Sequence, residues 1–157
     1  MTRGYFGIGI VGSKFDVNVG QLLRSGMCFG ADFLFTVGAR YKNTPTDTVK
    51  AERHIPFYEY RDLRDAFSHF PHNCQPVCVE LKPQAKTLSG FTHPERAVYL
   101  LGPEDGSLPD DMCLLFPTIQ IDTKYCLNVA IAGSIIMYDR QFKFLSVLPH
   151  GLNEVSL

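Results

Sequence analysis

An α/β fold, with a mainly parallel sheet and flanking helices, is what the sequence predicts. Two observations carry that expectation. Short apolar runs rich in β-branched and aromatic residues alternate with amphipathic stretches, the rhythm of β–α–β units rather than of hairpins. At 157 residues, 45% hydrophobic and 20% charged, the chain has the size of one substantial core and too little length for a second full domain.

The elements follow in order. Strands are expected at Tyr5–Val11, Phe33–Val37, 55–58, 77–81, 97–101 and 118–121, each a compact apolar run. A first helix is expected over 19–29, where Asp16 or Asn18 can cap the start. Val19, Leu22, Leu23 and Met27 form one apolar stripe there, Arg24 lies off it, and Gly30 ends the helix. A second helix over 61–70 stops before Pro71. A third, over 127–140, is apolar nearly all round and is therefore expected to be buried, with Ala130, Gly133 and Ser134 leaving room for another helix. Glycine and proline mark loops at 43–48, 71–76 and 102–109.

Several function classes are disfavoured. No apolar run approaches the roughly 20 residues of a membrane span, and the N-terminus lacks a signal-peptide layout, so a soluble, cytoplasmic protein is expected. The five cysteines are odd in number and none has zinc-knuckle spacing, which predicts free thiols and no metal. Gly7, Gly9 and Gly12 match the dinucleotide fingerprint G-x-G-x-x-G, yet they lie inside the first strand rather than after it, and Asp32 precedes the second strand instead of following it. Glycines that permit close packing are the better reading. The net charge of −1 gives no general basic footprint for nucleic acid. The candidates for a local basic patch are Arg40, Lys42, Lys50, Arg53, His54, Arg61 and Arg64, each of which reads equally well as an ordinary solvated surface charge.

Three segments carry candidate chemistry. Asn18-Val19-Gly20-Gln21-Leu22-Leu23-Arg24 brings an amide and a guanidinium onto the start of a helix, and reads equally as a cap with a surface arginine. Leu101-Gly102-Pro103-Glu104-Asp105-Gly106-Ser107-Leu108 runs from a strand into a glycine-rich turn with two carboxylates, at the sheet edge where open α/β folds bind ligands. There Gly102 leaves the backbone open to a ligand and Glu104 offers an acceptor; an ordinary turn has the same composition. Ile121-Asp122-Thr123-Lys124-Tyr125-Cys126-Leu127-Asn128-Val129 leads from a strand into the apolar helix. Asn128 must find partners in a loop, a ligand or a second subunit, or serve as the helix cap, because an unpaired buried amide costs about 1–3 kcal/mol.

Taken in order, these segments resemble the three motifs of SpoU-type (TrmH-like) RNA methyltransferases of the SPOUT superfamily: N-x-G-x-x-x-R, a strand ending in G-x-E-x-x-G-L, and I-P-x-x-x-S-L-N-V. Asp122 stands where the family has proline, Cys126 where it has serine, and Ser107 falls between Gly106 and Leu108. The resemblance implies a C-terminal deep trefoil knot, a rare exception to ordinary chain topology. It implies S-adenosyl-L-methionine held by Glu80, Leu81, Leu101, Gly102, Ile121, Cys126 and Leu127. It gives Arg24 the central catalytic place, with Asn18, Glu104 and Asn128 keeping it in register, and a homodimer through the knot region that shares the site. The substrate implied is an RNA ribose 2′-hydroxyl, in tRNA more than in rRNA, because a single domain over residues 1–157 without an N-terminal RNA-binding extension resembles the tRNA-modifying relatives. The alternatives are an rRNA 2′-O-methyltransferase and an RNA-binding protein that has kept the fold and lost catalysis.

Overall fold

The computed structural model describes residues 4–42 and 53–146. The loop expected at 43–48 and Lys50 lie outside them. Among the described residues seven strands, β1 (Tyr5–Val11), β2 (Phe33–Val37), β3 (Phe57–Tyr60), β4 (Gln75–Val79), β5 (Lys86–Thr87), β6 (Arg96–Leu101) and β7 (Thr118–Gln120), form one sheet in the order β3-β2-β1-β6-β4-β7-β5, and every pairing there is parallel. Strands β1 (Tyr5–Val11) and β2 (Phe33–Val37) lie as expected, with Gly7 opposite Phe33 and Gly9 opposite Phe35. Those glycines have a packing role. A Cβ on Gly7 would sit 2.2 Å from the Phe33 ring, and one on Gly9 would sit 2.3 Å from the Phe35 carbonyl oxygen.

Strand alternation divides the core into two layers. Phe6, Ile8, Ile10, Leu34, Tyr99 and Leu101 point to one face, beneath α1 (Asp16–Phe29) and α4 (Val129–Ser146). Phe33, Phe35, Val98 and Leu100 point to the other, with Ala66 of α2 (Leu63–His69) and Met112 and Cys113 of α3 (Asp110–Leu115). All five cysteines are free thiols. No helix among the described residues is long and apolar enough to cross a membrane.

Several boundaries differ from expectation for identifiable reasons. Helix α1 begins at Asp16, three residues early, and neither Asp16 nor Asn18 caps it; Phe15 holds the cap position without a side-chain bond. Strand β3 (Phe57–Tyr60) starts after Pro56, in register with Leu34–Val37, and leaves Ile55 in a turn. Strand β4 (Gln75–Val79) lies two residues earlier than the expected 77–81 and so includes Pro76. Its missing N–H is tolerated because β7 (Thr118–Gln120) pairs only with Cys78 and Val79 and never reaches Pro76. Strand β6 (Arg96–Leu101) lies one residue longer than predicted, whereas the two-residue β5 (Lys86–Thr87) and the short α3 are too brief to show a periodicity and were not expected.

Helix α4 corrects a larger expectation. It is not buried all round: Ile131, Tyr138, Phe142 and Leu145 are exposed. Its small residues Ala130 and Gly133 are buried in this chain's own core. A Cβ on Gly133 would lie 2.5 Å from Leu22 and 3.1 Å from Leu101. The helix that approaches closely is α1, lying parallel alongside: Asn18 meets Asn128, Ser25 meets Ser134, and Phe29 meets Tyr138 in succession.

Candidate active site

The strand order reverses direction of growth between β1 and β6, and open parallel sheets form their ligand crevices at the C-terminal strand ends beside such a point. A cavity of about 440 Å³ lies there. The ends of β4, β6 and β7 contribute Glu80, Leu81, Leu101, Gly102 and Ile121, the loop after β7 contributes Cys126 and Leu127, and the starts of α1 and α4 contribute Asn18 and Asn128. Glu104 completes the wall.

A chain of hydrogen bonds joins the three segments. Asn18, only 4% exposed, donates from Nδ2 to Glu104 Oε1 at 2.9 Å and accepts at Oδ1 from Asn128 Nδ2 at 2.9 Å. Asn128 Oδ1 in turn accepts from the backbone N–H of Ala130 at 2.9 Å and of Ile131 at 3.3 Å, so Asn128 caps α4. The chemistry fixes both amide orientations. An ionised carboxylate only accepts and a backbone N–H only donates, so one arrangement satisfies every group.

Glu104 also accepts from Ser13 Oγ at 3.1 Å and from the Lys14 N–H at 3.0 Å, while Lys14 Nζ pairs with Asp105. Burial pushes the Glu104 carboxyl up, but the Asn18 amide, the Lys14 N–H and the Ser13 hydroxyl outweigh it and hold the group below its ordinary value. Glu104 is thus an ionised anchor at neutral pH with its acceptor sites engaged, a poor proton acceptor.

Gly102 lines the cavity, and its missing side chain makes room for a second group as well. The Glu80 carboxylate occupies the space beside it, where a Cβ would meet Oε2 at 2.7 Å. That carboxylate accepts from Leu108 N at 2.9 Å and Leu81 N at 3.0 Å, tying the loop after β6 to the end of β4. Ten of the eleven residues singled out in the sequence line the cavity; Arg24 does not. Six positions beyond Asn18, it is turned by roughly 120° about the axis and about 9 Å along it. Its side chain is exposed and makes no ionic or hydrogen-bonded contact with a described residue. Phe15, Gln120 and Thr123 also line the cavity and were not singled out: Phe15 and Gln120 lie outside the three segments, and Thr123 stands at an unspecified position of the third. Ser13 was missed too, and only its hydrogen bond to Glu104 reveals it.

A model of the SpoU rRNA Methylase family matches residues 7–138, which include all three segments. The chain belongs to that family. SpoU-type solved structures share its fold. A structure concerned with the 2-OH methylation of C/U34 on tRNA superposes with a TM-score of 0.77 at 17% identity, over 92% of this chain and 98% of that one. The SpoU methyltransferase AviRb from Streptomyces viridochromogenes, in complex with the cofactor AdoMet, gives 0.77 at 17% identity over 91% of this chain and 62% of its own. The TrmH/SpoU tRNA modifying enzyme of A. aeolicus gives 0.77 at 18% identity, over 90% and 76%. The chain spans about 60% of the AviRb chain's length. No curated protein matches the sequence.

Proposed function

We propose that this SpoU-family chain transfers a methyl group from S-adenosyl-L-methionine to a ribose 2′-hydroxyl of RNA, in tRNA rather than rRNA, as a homodimer. The observation that carries the proposal is the oriented chain Glu104–Asn18–Asn128 on the wall of a cavity at the C-terminal strand ends. Its volume of about 440 Å³ falls in the range of small-molecule sites. Leu81 and Leu127 are exposed apolar side chains on its walls, a surface that a flat base would cover, and the ionised Glu104 complements a sulfonium. The residues present therefore fit the donor. Leu101, Gly102, Ile121, Cys126 and Leu127 would hold it, with Glu80 fixing the loop conformation and Leu81 closing the end of β4.

S-adenosyl-L-methionine, when bound, supplies the methyl group on a sulfonium leaving group, so no metal is required. The transfer would form an O–CH₃ bond at the ribose oxygen and break the S–CH₃ bond, with the hydroxyl proton passing to solvent water. The Arg24 guanidinium, a fork of N–H donors with no acceptor, orients the hydroxyl and the adjoining phosphate. Arg24 lies outside its own cavity, on the same outer layer as the exposed apolar side chains Ile131, Tyr138, Phe142 and Leu145 of α4. That placement suits a dimer in which the partner's arginine completes each site. The C-terminal trefoil knot belongs to the same proposal; the out-of-order neighbours β6-β4-β7 around the cavity support it.

The preference for tRNA is supported by the structure concerned with tRNA C/U34, matched over 98% of its length, against 58% for an rRNA methyltransferase from Sinorhizobium meliloti. Asp122 and Cys126, which depart from the motif, favour the alternative of an RNA-binding protein without catalysis. Calorimetry with S-adenosyl-L-methionine, followed by transfer assays on tRNA and rRNA, separates the readings. Arg24→Ala is expected to abolish transfer while donor affinity stays within about threefold, as for a group acting chiefly in the transition state. Donor binding with no transfer to any RNA by the parent chain would establish the alternative instead.

A further inference from the structure

We propose that a second cavity, at the C-terminal ends of β2 and β3, holds the RNA phosphodiester backbone a few nucleotides from the reacting ribose; this rests on the RNA reading above. The cavity measures about 490 Å³ and its wall includes Arg40, Arg61, Tyr60, Glu59 and Asp65. It opens on the same sheet edge as the first. The start of α1 lies between them, where Gly12 N bonds Val37 O at 2.7 Å and Lys42 N bonds Asp16 Oδ1 at 3.1 Å. From the β2–β3 pair to the β6–β4 pair is three strand spacings, about 14 Å.

The wall holds two guanidinium groups with open donors. Arg40 makes no hydrogen bond or ion pair with a described residue. Arg61 has only a 3.4 Å contact from Nε to Asp62, at a side-chain exposure of 83%. The two carboxylates in the wall are already engaged. Glu59 Oε1 accepts from the Tyr41 N–H at 2.6 Å, while Asp65 Oδ2 accepts from the Arg61 N–H at 2.8 Å and Oδ1 faces His69 Nδ1 at 3.3 Å. Two guanidinium forks beside a cavity suit the oxygens of a phosphodiester, which they can grip in pairs.

A nucleic acid fits better than a free phosphate. Tyr60 in the wall is stacked on Tyr58, with ring centroids 6.1 Å apart and planes at 24°, and Tyr58 is exposed. An unpaired base beside a held phosphate would find an aromatic face there. Contacts of this kind position RNA without reading its sequence.

The test is binding of fluorescently labelled tRNA by the full chain across a salt series, with Arg40→Ala, Arg61→Ala and the double variant. Both arginines are exposed, and surface changes of this kind leave folding nearly untouched. Each single variant is expected to bind RNA about tenfold more weakly and to lower the salt slope by about 1, with donor affinity unchanged. In transfer assays the loss is expected in KM, with kcat kept. Arg40→Lys is expected to restore the slope and only part of the affinity. A double variant with the parent's affinity and slope would overturn the inference, as would inorganic phosphate occupying the cavity while RNA binding is insensitive to both arginines. Failure of the wider reading looks different, since the parent chain itself would then bind no RNA.

Discussion

Asn18 joins two parts of the chain that lie 86 and 110 residues away, donating to Glu104 and accepting from Asn128. Removing its side chain leaves a carboxylate short of a donor and an amide short of an acceptor. Asn18→Ala is therefore expected to cost about 1–3 kcal/mol, read as a lower urea midpoint with an unchanged slope at pH 7. The acid limb should change as well. Glu104 has its folded pKa depressed, so its stabilisation is present above the ordinary value of 4.5 and is lost as pH falls through the lower folded value. Without the Asn18 amide that dependence should flatten, and an identical acid limb in the variant would contradict the assigned bond. Asn18, Glu104 and Asn128 were legible in the sequence because each is a polar side chain at a strand end or helix start. Ser13 and Phe15 were not, since nothing local marks a serine that meets a carboxylate 91 residues later.

Helix α4 carries the site at its start and is fastened at its other end by a buried polar cluster. Arg140, 2% exposed, donates to the carbonyl oxygens of Pro94 at 2.6 Å and Glu95 at 2.7 Å and to Tyr99 Oη at 3.2 Å. Burial pushes the Tyr99 hydroxyl up to about 12, so it stays protonated. His93 faces it through Nδ1 at 2.6 Å and faces Asp139 through Nε2 at 2.8 Å, with Lys143 also on Asp139 at 2.7 Å. One neutral arrangement satisfies all of them: Tyr99 donates to Nδ1 and Nε2–H donates to Asp139. Burial lowers the His93 pKa, and the Arg140 and Lys143 charges add to this against the opposing pull of Asp139. Stability from a neutral His93 is thus present above about 6.5 and lost as pH falls through the depressed value. His93→Gln should be less stable at pH 7.5 yet lose less on acidification to pH 5, followed by thermal unfolding; an equal loss would rule out His93 as the titrating group. The middle of α4 admits no extra atom, so Gly133→Ala is expected to destabilise by about 1–3 kcal/mol through overpacking against Leu22 and Leu101, despite alanine's higher helix propensity. An apolar sequence announced this helix, but its exposed stripe depends on which neighbours cover it, and periodicity holds no record of that.

At the scale of the whole molecule, local and non-local information separate cleanly. Strands β1 and β2 could be placed from end to end because dense apolar runs bounded by glycine or aspartate define them. The order β3-β2-β1-β6-β4-β7-β5 could not, because it depends on pairings between segments far apart in the chain. The same limit explains why the cavity residues could be collected in advance while their geometry, and the exclusion of Arg24 from its own chain's cavity, could not. The second cavity was visible only as scattered basic residues until β2 and β3 brought Arg40 and Arg61 to the wall of one cavity. The central claim is that this edge of the sheet methylates ribose, and it is tested most directly by incubating the chain with tRNA and isotopically labelled S-adenosyl-L-methionine, then digesting the RNA and resolving its nucleosides by mass spectrometry. The account predicts label in a 2′-O-methylated nucleoside and none with Arg24→Ala; label on a base, or equal 2′-O-labelling by the variant, would contradict it.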